Sequence, residues 1–330
     1  MLKDLCFEII QTCPNECIFC SSNSSIDKNC IIDIELFKRT IEHFINLGGI
    51  EEISISGGEP FLHPKLFDIV LFCKSKNIKT VIYTSGIKKR KKIPKEEIEA
   101  LPKAEKRIVE MVENSEFSGI SKIEFIKLKN LGLDKIVFDF QAMDVDNYNT
   151  LMGTKNCMVY VLDSILLASL AGLNVDVHYI PNKINYKQFP DIIEGLNIAG
   201  VKNLSILNFI PQGRGATNAK DLVLNNTELQ EFIELFNHYE NKFNGKIRVG
   251  IPLNSNSGHL CTAGYDKINI KYDGTILPCP AFKETDIKTL AKHGISLYNI
   301  HSDLNKIQLT SGIREKPLCK EIYHFDNSIV

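Results

Sequence analysis

Three cysteines near the start of the chain have the residue type and spacing that metal chemistry needs. Cys13, Cys17 and Cys20 stand in the run Cys-Pro-Asn-Glu-Cys-Ile-Phe-Cys, separated by three and then two residues. Thiolates at these spacings can converge on one metal site, and they are the usual ligands of iron–sulfur clusters. Three ligands on a four-iron cluster leave one iron open, whereas a structural zinc site normally has four protein ligands. The spacing therefore predicts an iron–sulfur cluster with an open iron.

The same spacing leaves a second interpretation open. A zinc knuckle would need a distant fourth ligand, such as His63 or Cys30. Under that hypothesis the chain is a non-catalytic zinc-binding module, and the basic run Lys-Lys-Arg-Lys-Lys at 88–92 contacts nucleic acid.

A second motif lies at residues 51–60, where an alternating strand pattern runs into Gly57, Gly58, Glu59 and Pro60. Glycines allow backbone conformations closed to other residues and let a ligand approach the main chain, while proline fixes the exit toward the next helix. The pattern predicts a strand that ends in a tight turn carrying one carboxylate. Taken alone, this is an ordinary strand-to-helix turn.

The two motifs together resemble the radical S-adenosylmethionine (radical SAM) superfamily. Its signature is this Cys-x3-Cys-x2-Cys loop followed by a Gly-Gly-Glu-Pro turn on the second strand. The resemblance implies that Cys13, Cys17 and Cys20 ligate a [4Fe–4S] cluster, whose open iron binds the amino and carboxylate groups of S-adenosylmethionine (SAM). It also implies that Phe19 packs near the adenine.

The resemblance gives the glycine turn and four later residues a place around SAM. Backbone groups of the turn and Glu59 would receive the methionine ammonium, since a buried ammonium requires a carboxylate and free acceptors. Polar residues after later strands are expected at the same rim, where each either contacts the ribose or carboxylate or has a turn or capping role. They are Thr84, Ser85, Gln141 and Asn182.

The chain as a whole alternates strand and helix patterns. Strand patterns occupy residues 5–11, 52–56, 79–84, 134–141, 173–180 and 203–210, and helical spacings occupy 33–46, 66–76, 160–171 and 186–199. These units predict an α/β fold, a partial (β/α)6 TIM-like barrel over residues 1–215. Right-handed crossovers place all strand carboxyl ends at one rim, where such folds carry their sites.

Two segments depart from the alternation. Residues 87–129 are predicted to be a charged, mostly helical insertion, whose basic run is either a solvated face or binds an acidic or phosphate-rich partner. After Arg214 the repeat is predicted to stop, and 216–330 is expected to form a small α+β C-terminal region that begins with a helix at 227–243. The stretch Pro-Gln-Gly-Arg-Gly at 211–215 resembles one in several SPASM-type radical SAM enzymes. Its arginine would hold a carboxylate or phosphate, or pair on the surface.

The C-terminal region has a cysteine pattern of its own. Cys261 precedes, and Cys279 follows, a predicted hairpin of strands 267–272 and 275–278 whose Asp-Gly turn is a strong hairpin signal. With Cys319 downstream, the arrangement resembles the shorter Twitch form of a SPASM extension. The resemblance implies at most one auxiliary [4Fe–4S] cluster, on Cys261, Cys279 and Cys319. Its fourth iron would be empty, bound by His259 or open to substrate.

Not every cysteine is expected to be a ligand. Two unrelated thiols on the hairpin remain the alternative to an auxiliary cluster, because free cysteines are common buried residues. The remaining cysteines show no ligand spacing and are interpreted as packing residues: Cys6, Cys30, Cys73 and Cys157.

The composition is that of an ordinary globular protein. The chain has 330 residues, 44% hydrophobic content and a formal net charge of −1, so bulk charge points to neither a membrane nor a nucleic acid. It contains no apolar run of about 18 residues or more and no signal segment. Ten cysteines with clustered spacings and no export signal favour metal ligation in a reducing compartment, so a cytoplasmic location is expected.

The resemblance also implies a reaction. A one-electron donor such as flavodoxin or ferredoxin would reduce the cluster, SAM would be cleaved to a 5′-deoxyadenosyl radical, and the radical would take a hydrogen atom from the substrate. The protein would supply orientation and exclude water and oxygen. An auxiliary cluster that accepts an electron or ligates the substrate would make the reaction an oxidation or a bond-forming rearrangement.

The substrate is the least determined feature. A ribosomally synthesised peptide is favoured, because the barrel, the 211–215 stretch and the hairpin cysteines occur together most commonly among peptide modifiers. Against a peptide, the predicted barrel begins at residue 5 and leaves no room for the leader-binding domain that many such enzymes carry. Small-molecule, nucleotide or cofactor biosynthesis, as in the molybdopterin-precursor cyclase, stays the alternative.

Overall fold

The computed structural model describes residues 1–90, 96, 99–100, 102, 116–249, 261–307 and 312–323. Within them the strands are β1 (Leu2–Ile10), β2 (Ile50–Gly57), β3 (Lys79–Thr84), β4 (Ile87–Lys89), β5 (Phe117–Gly119), β6 (Lys135–Asp139), β7 (Val175–Tyr179), β8 (Asn203–Ile206), β9 (Lys246–Val249), β10 (Lys267–Ile270), β11 (Thr275–Leu277) and β12 (Tyr298–Asn299). The α-helices are α1 (Ile34–Asn46), α2 (Leu66–Ser75), α3 (Lys122–Asn130), α4 (Val145–Met152), α5 (Met158–Leu170), α6 (Phe189–Ile198), α7 (Arg214–Thr217), α8 (Ala219–Leu222), α9 (Asn226–Tyr239), α10 (Ile287–Lys292) and α11 (Leu318–Tyr323).

A single large sheet organises the molecule. Its strands run in the order β12-β11-β10-β1-β2-β3-β6-β7-β8-β9, and every pair from β10 to β9 is parallel. The edges, β12 and β9, do not pair with each other, so the described strands form an open, partial barrel. The predicted α/β fold is confirmed, and the parallel order places the carboxyl ends of β1, β2, β3, β6, β7 and β8 along one rim.

The helices follow local sequence signals. Asp33 caps α1 by accepting hydrogen bonds from the backbone N–H groups of Glu35 and Leu36. The buried face of α1 includes Phe37 and Phe44, and the Phe37 ring lies 4.9 Å from that of Phe7 on β1. Burial of such aromatic side chains against the sheet stabilises the strand–helix unit.

The two faces of the strands differ in polarity. On β1, Leu5, Phe7 and Ile9 are buried in the core beneath the helices, while Asp4 and Cys6 line a cavity on the opposite face. The same alternation occurs on β6 and β7, where Asp139 and His178 line that cavity. The apolar core therefore lies between sheet and helices, and the inside of the curved sheet, here called the lumen, is polar.

The strand–helix alternation continues further than the sequence predicts. Helix α9 is followed by β9, which pairs in parallel with β8 as a seventh unit, so the repeat does not stop after Arg214. Strand β10 then pairs in parallel with β1 at the other side of the sheet. The short β9 strand, Lys-Ile-Arg-Val, has too few residues to stand out as a strand in the sequence.

The insertion at 87–129 is described in part. Its ends form an antiparallel pair, β4 and β5, before α3, and this pair was not expected within a mostly helical segment. In the basic run, the Lys88 ammonium lies 2.6 Å from the Glu124 carboxylate, and Arg90 donates to the Phe117 carbonyl at 3.3 Å. Residues 91 and 92 of the run lie outside the described residues.

Candidate functional site

The loop after β1 brings the three N-terminal cysteines to one cavity. Cys13, Cys17 and Cys20 all line a cavity of about 500 Å³ at the rim and lumen of the sheet. Cys13 is buried, and the other two are half-buried. The loop is held by backbone hydrogen bonds, including Ile18 N–H to the Leu151 carbonyl at 3.0 Å. The loop thus brings three cysteines that are close in sequence to the same cavity.

The electrostatics of the thiols indicate that they need a nearby positive charge to ionise. Burial raises the pKa of Cys13 and Cys17 well above the usual range, and neighbouring thiols raise both further, while Arg214 lowers them. Without a bound cation these thiols stay protonated. A metal centre supplies the positive charge that favours thiolate, so the donor set fits a cluster.

Asn15, between the first two cysteines, has a buried side-chain amide that is not hydrogen-bonded to any described residue. Its side chain is 1% exposed and lines the same cavity. Neither its amide nitrogen nor its carbonyl oxygen has a hydrogen-bond partner among the described residues. A buried amide left unpaired costs about 1–3 kcal/mol, so a polar group bound in this cavity is required to satisfy it.

The glycine turn is shaped to fit against the chain that leads into the cysteine loop. A Cβ on Gly57 would lie 2.2 Å from the Ile10 carbonyl oxygen, and one on Gly58 would lie 2.1 Å from that of Thr12. The Gly58 N–H donates to Ile10 at 2.6 Å. The first use of these glycines is therefore close packing against the end of β1. Both also line the cavity, and Pro60 begins a short 3-10 turn.

Glu59 is not among the residues that line the cavity, and its carboxylate is occupied by hydrogen bonds within the protein. Its carboxylate accepts hydrogen bonds from Phe61 N–H at 3.0 Å, Thr84 Oγ1 at 2.8 Å, and the N–H and Oγ of Ser85 at 2.7 and 2.6 Å. Burial raises the pKa of Glu59, and these bonds oppose the rise. Glu59 ties the turn to the end of β3, and the backbone of Gly57 and Gly58 is what faces the cavity.

The weaker candidates divide in the same way. Thr84 and Ser85 line the cavity while holding Glu59. The Gln141 amide bonds the His178 carbonyl at 3.1 Å and the Ile180 N–H at 2.9 Å. Asn182 bonds the Ile180 carbonyl and the Ile184 N–H, each at 3.0 Å. Both amides bind backbone groups, and Gln141 also donates to the Asp139 carboxylate.

Other residues reach the cavity without having been identified from the sequence. Cys6, Asp139 and His178 line it together with Phe19. Burial raises the pKa of Asp139 to about 6, opposed by a hydrogen bond from Gln141. Cys6 is buried, as a packing residue would be, and it also borders the cavity. The signal that could have found it is the alternation of polar residues along otherwise apolar strands, as in Asp4, Cys6 and Glu8.

Arg214 holds the cysteine loop in place. Its Nε donates to the Cys17 carbonyl at 2.9 Å, and its Nη2 donates to the Ser24 carbonyl at 2.7 Å. A Cβ on Gly213 would lie 2.7 Å from the Cys20 carbonyl oxygen. The 211–215 stretch therefore packs directly on the loop, and its arginine binds backbone carbonyls of that loop.

A second cation reaches the loop from the C-terminal region. Lys283 Nζ lies 2.5 Å from Glu8 Oε1 and 3.0 Å from Ser22 Oγ, and Ser22 donates to Glu8 at 2.6 Å. The Glu8 side chain is fully buried, and its Oε2 has no partner among the described residues. Although burial lowers the pKa of Lys283, Glu8, Cys6 and Cys20 raise it more. The lysine thus stays charged beside the cysteine loop.

The C-terminal cysteines meet in a small apolar cluster. Cys261, Cys279 and Cys319 belong to this cluster together with Phe282 and Leu318. Burial raises the pKa of Cys279 to about 11, with Cys319 and Cys261 adding to the rise and Lys267 opposing it. The thiols predicted as an auxiliary set are thus neighbours in space. His259, a possible fourth ligand, lies outside the described residues.

The alternative zinc ligands do not join the cysteines. His63 Nε2 lies 3.0 Å from the Ile32 carbonyl, and its Nδ1 accepts from Lys65 N–H at 3.1 Å, so backbone groups occupy both ring nitrogens. Cys30 is exposed. Over the described part of the chain, no three Cys, His, Asp or Glu side chains converge as for a single metal ion.

No helix in the described part of the chain has the length and apolar character of a membrane span.

Part of the chain matches the sequence model of a known protein family. Residues 7–115 match the model of the radical SAM superfamily. The chain is 20% identical over 280 residues to PqqA peptide cyclase of Methylorubrum extorquens, covering 83% of this chain and 65% of the relative. It is 25% identical over 280 residues to the subtilosin biosynthesis protein AlbA of Bacillus subtilis, covering 84% and 54%. The chain thus spans less than two thirds of the length of these relatives.

A solved structure shares the fold. Streptococcus suis SuiB bound to precursor peptide SuiA matches with a TM-score of 0.63 and 17% identity, over 98% of this chain and 65% of that one.

Proposed function

Because the chain is a member of the radical SAM superfamily, whose cofactors are a [4Fe–4S] cluster and SAM, we propose that it is an enzyme that modifies a ribosomally synthesised peptide. The cofactors, when bound, supply a 5′-deoxyadenosyl radical that takes a hydrogen atom from the substrate. The observation that carries this proposal is the shared cavity, which joins Cys13, Cys17 and Cys20 to the Gly57–Gly58 turn.

The residues around the cavity are proposed to act as follows. The three thiols hold the cluster, and the backbone of the glycine turn accepts the ammonium of SAM, while Glu59 fixes the turn to β3. Phe19 flanks the adenine. The remaining polar lumen holds the reacting part of the substrate and limits its contact with water.

The peptide substrate is supported by the relatives. PqqA peptide cyclase and the subtilosin biosynthesis protein AlbA are named for peptide and bacteriocin chemistry, and SuiB has been solved with a precursor peptide. A cytoplasmic location, a flavodoxin- or ferredoxin-type electron donor, and an auxiliary cluster on Cys261, Cys279 and Cys319 are further parts of the proposal.

The test is anaerobic reconstitution with iron and sulfide, followed by addition of dithionite and SAM. The native protein is expected to release 5′-deoxyadenosine, and a Cys13, Cys17, Cys20→Ala triple variant is expected to release none. Cys30→Ala, an exposed cysteine of the same segment, is the matched control and should behave as the native protein. Equal release by the triple variant would refute the proposed site.

A further inference from the structure

Four residues stand side by side across the lumen. Asp139, His178, Ser205 and Arg248 are direct partners in register on β6, β7, β8 and β9. Asp139, His178 and Arg248 line the cavity that the three cysteines also line. The proposed function assigns the cysteine side of this cavity to the cofactors and the remaining lumen to the substrate, without naming a residue on β9 that binds it.

Arg248 is oriented by a short chain of hydrogen bonds. Its Nε donates to Ser205 Oγ at 3.2 Å. The Ser205 hydroxyl in turn lies 3.2 and 3.1 Å from the two carboxylate oxygens of Asp176, to which it donates. Ser205 and Asp176 are buried, whereas Arg248 is accessible. One edge of the guanidinium is therefore fixed, while its two terminal nitrogens have no hydrogen bond or ion pair with any described residue.

The other cations of the cavity are neutralised. Lys267 lies 2.8 Å from Asp4, and Lys283 lies 2.5 Å from Glu8. The Asp176 carboxylate, which Arg248 reaches through Ser205, also lies 4.0 Å from Lys135. Burial raises the pKa of Asp176, while Lys135, Ser205 and Arg248 oppose the rise. Arg248 itself makes no ion pair with a described residue, and Asp139, the other carboxylate of the row, stands three strands away on β6.

His178 does not alter this balance. Burial lowers the pKa of His178 to about 3, and Arg248 and Lys135 lower it further, so the imidazole is neutral at physiological pH. It adds no charge, and it stacks edge-on against Tyr83 with ring centroids 5.2 Å apart.

We infer that Arg248 binds a carboxylate of the substrate, either an acidic side chain or the C-terminal carboxylate of the peptide. A guanidinium with two free, parallel N–H groups matches a carboxylate in a bidentate, charge-assisted geometry that an amide cannot reproduce. The inference rests on the proposed function and names the chemical class of group that the lumen receives.

The position of Arg248 favours the substrate over SAM as the source of the carboxylate. The methionine end of SAM is assigned to the turn after β2 and to the cysteine loop after β1. In the sheet, β3, β6, β7 and β8 separate β2 from β9, at about 4.8 Å per strand. Arg248 therefore faces what lies beyond the cofactor in the lumen.

The experiment uses the reconstituted full chain with SAM and a library of twelve-residue peptides with amidated C-termini. Each peptide is present as an acid, containing Glu or Asp, and as the corresponding Gln or Asn amide, and a parallel set has free C-terminal carboxylates. Peptides enriched on the protein are then measured individually by fluorescence anisotropy. We expect the native protein to bind the carboxylate member of the selected pairs at least tenfold more tightly.

Three variants assign that preference. Arg248→Gln should bring the acid and amide peptides within about threefold of each other, chiefly by weakening the acid, because Gln presents no charge. Ser205→Ala, which releases the guanidinium from its anchor, should give an intermediate ratio. Lys246→Gln, on the same strand and exposed, removes an equal charge and should leave the native ratio unchanged.

Several outcomes would overturn the inference. One is that the native protein enriches no peptide. Another is that the native protein binds the acid and amide peptides equally well. A third is that the Arg248→Gln variant keeps the full preference for the acid peptide. A loss of SAM affinity in Arg248→Gln as large as the loss for peptide would assign the carboxylate to SAM instead. In each case, release of 5′-deoxyadenosine by the native protein shows whether the proposed function itself still stands.

Discussion

The two cysteine sites of this protein are built in opposite ways. Cys13, Cys17 and Cys20 come from one short loop, which distant cations hold from both sides: Arg214 bonds the Cys17 and Ser24 carbonyls, and Lys283 bonds Ser22. Cys261, Cys279 and Cys319 come from three separate segments that meet through apolar packing.

The difference concerns where each site gets its geometry. A loop with fixed cysteine spacing needs only to be held, and charged hydrogen bonds to its carbonyls do this with well-defined directions. Thiols from separated segments depend on the whole small cluster being folded. The N-terminal site should therefore tolerate changes in the C-terminal one better than the reverse, although Lys283 links them.

The largest expected effect is on the iron content, which should distinguish the two cysteine sites. A Cys261, Cys279, Cys319→Ala variant should lower the iron content of the reconstituted protein from roughly eight atoms to about four, while SAM cleavage without substrate is retained. Iron analysis with electron paramagnetic resonance measures this, and Cys157→Ala serves as control. Iron content equal to that of the native protein would contradict an auxiliary cluster.

Lys283 tests the link between the two regions. Lys283→Met leaves the fully buried Glu8 carboxylate without its counterion, which should lower the free energy of unfolding by about 3–5 kcal/mol. Denaturant unfolding of the apoprotein measures it. A Glu8→Gln, Lys283→Met double variant should recover part of the loss.

The surface ion pair of Lys306, whose side chain is 71% exposed, provides the contrast. Lys306→Met should leave the denaturant midpoint close to that of the native protein, because an exposed ion pair contributes little to stability. If Lys283→Met proves equally mild, the C-terminal region does not support the cysteine loop.

Arg214 tests the clamp on the N-terminal loop alone. Arg214→Lys cannot reproduce two divergent N–H groups, so it should lose at least one charged hydrogen bond, about 1.5–3 kcal/mol. We expect a chelator to remove iron faster from the N-terminal site and at an unchanged rate from the C-terminal site. Arg39→Lys, at an exposed arginine, is the control, and equal acceleration at both sites would contradict a local clamp.

The smallest effect concerns the lumen beside the N-terminal site. The fold lowers the pKa of His178 to about 3. Below about pH 6.5, this histidine therefore binds a proton in the unfolded chain but not in the folded chain. Stability should therefore fall as pH falls, by about 2 kcal/mol from this group between pH 7 and pH 5. His178→Gln should reduce that slope, and His301→Gln, at an exposed histidine, should not.

Much of the fold was predictable because local patterns dictate it. The strand at 79–84 was predicted with the observed bounds, and helix 66–76 within one residue, since apolar periodicity and turn residues act locally. Strand β9 and the β4–β5 pair were missed, because four and three residues carry too little periodicity and their pairing partners lie far along the chain.

The site shows the same division. The types and spacing of Cys13, Cys17 and Cys20 already specify a metal-binding loop, and the two-glycine turn already specifies a tight strand end, because both depend only on adjacent residues. The tasks of Glu59, Arg214, Lys283 and Arg248 follow only from the folded chain. Each depends on a partner 25 or more residues away along the chain, and the curl of the open sheet around its polar lumen decides which of these distant residues meet.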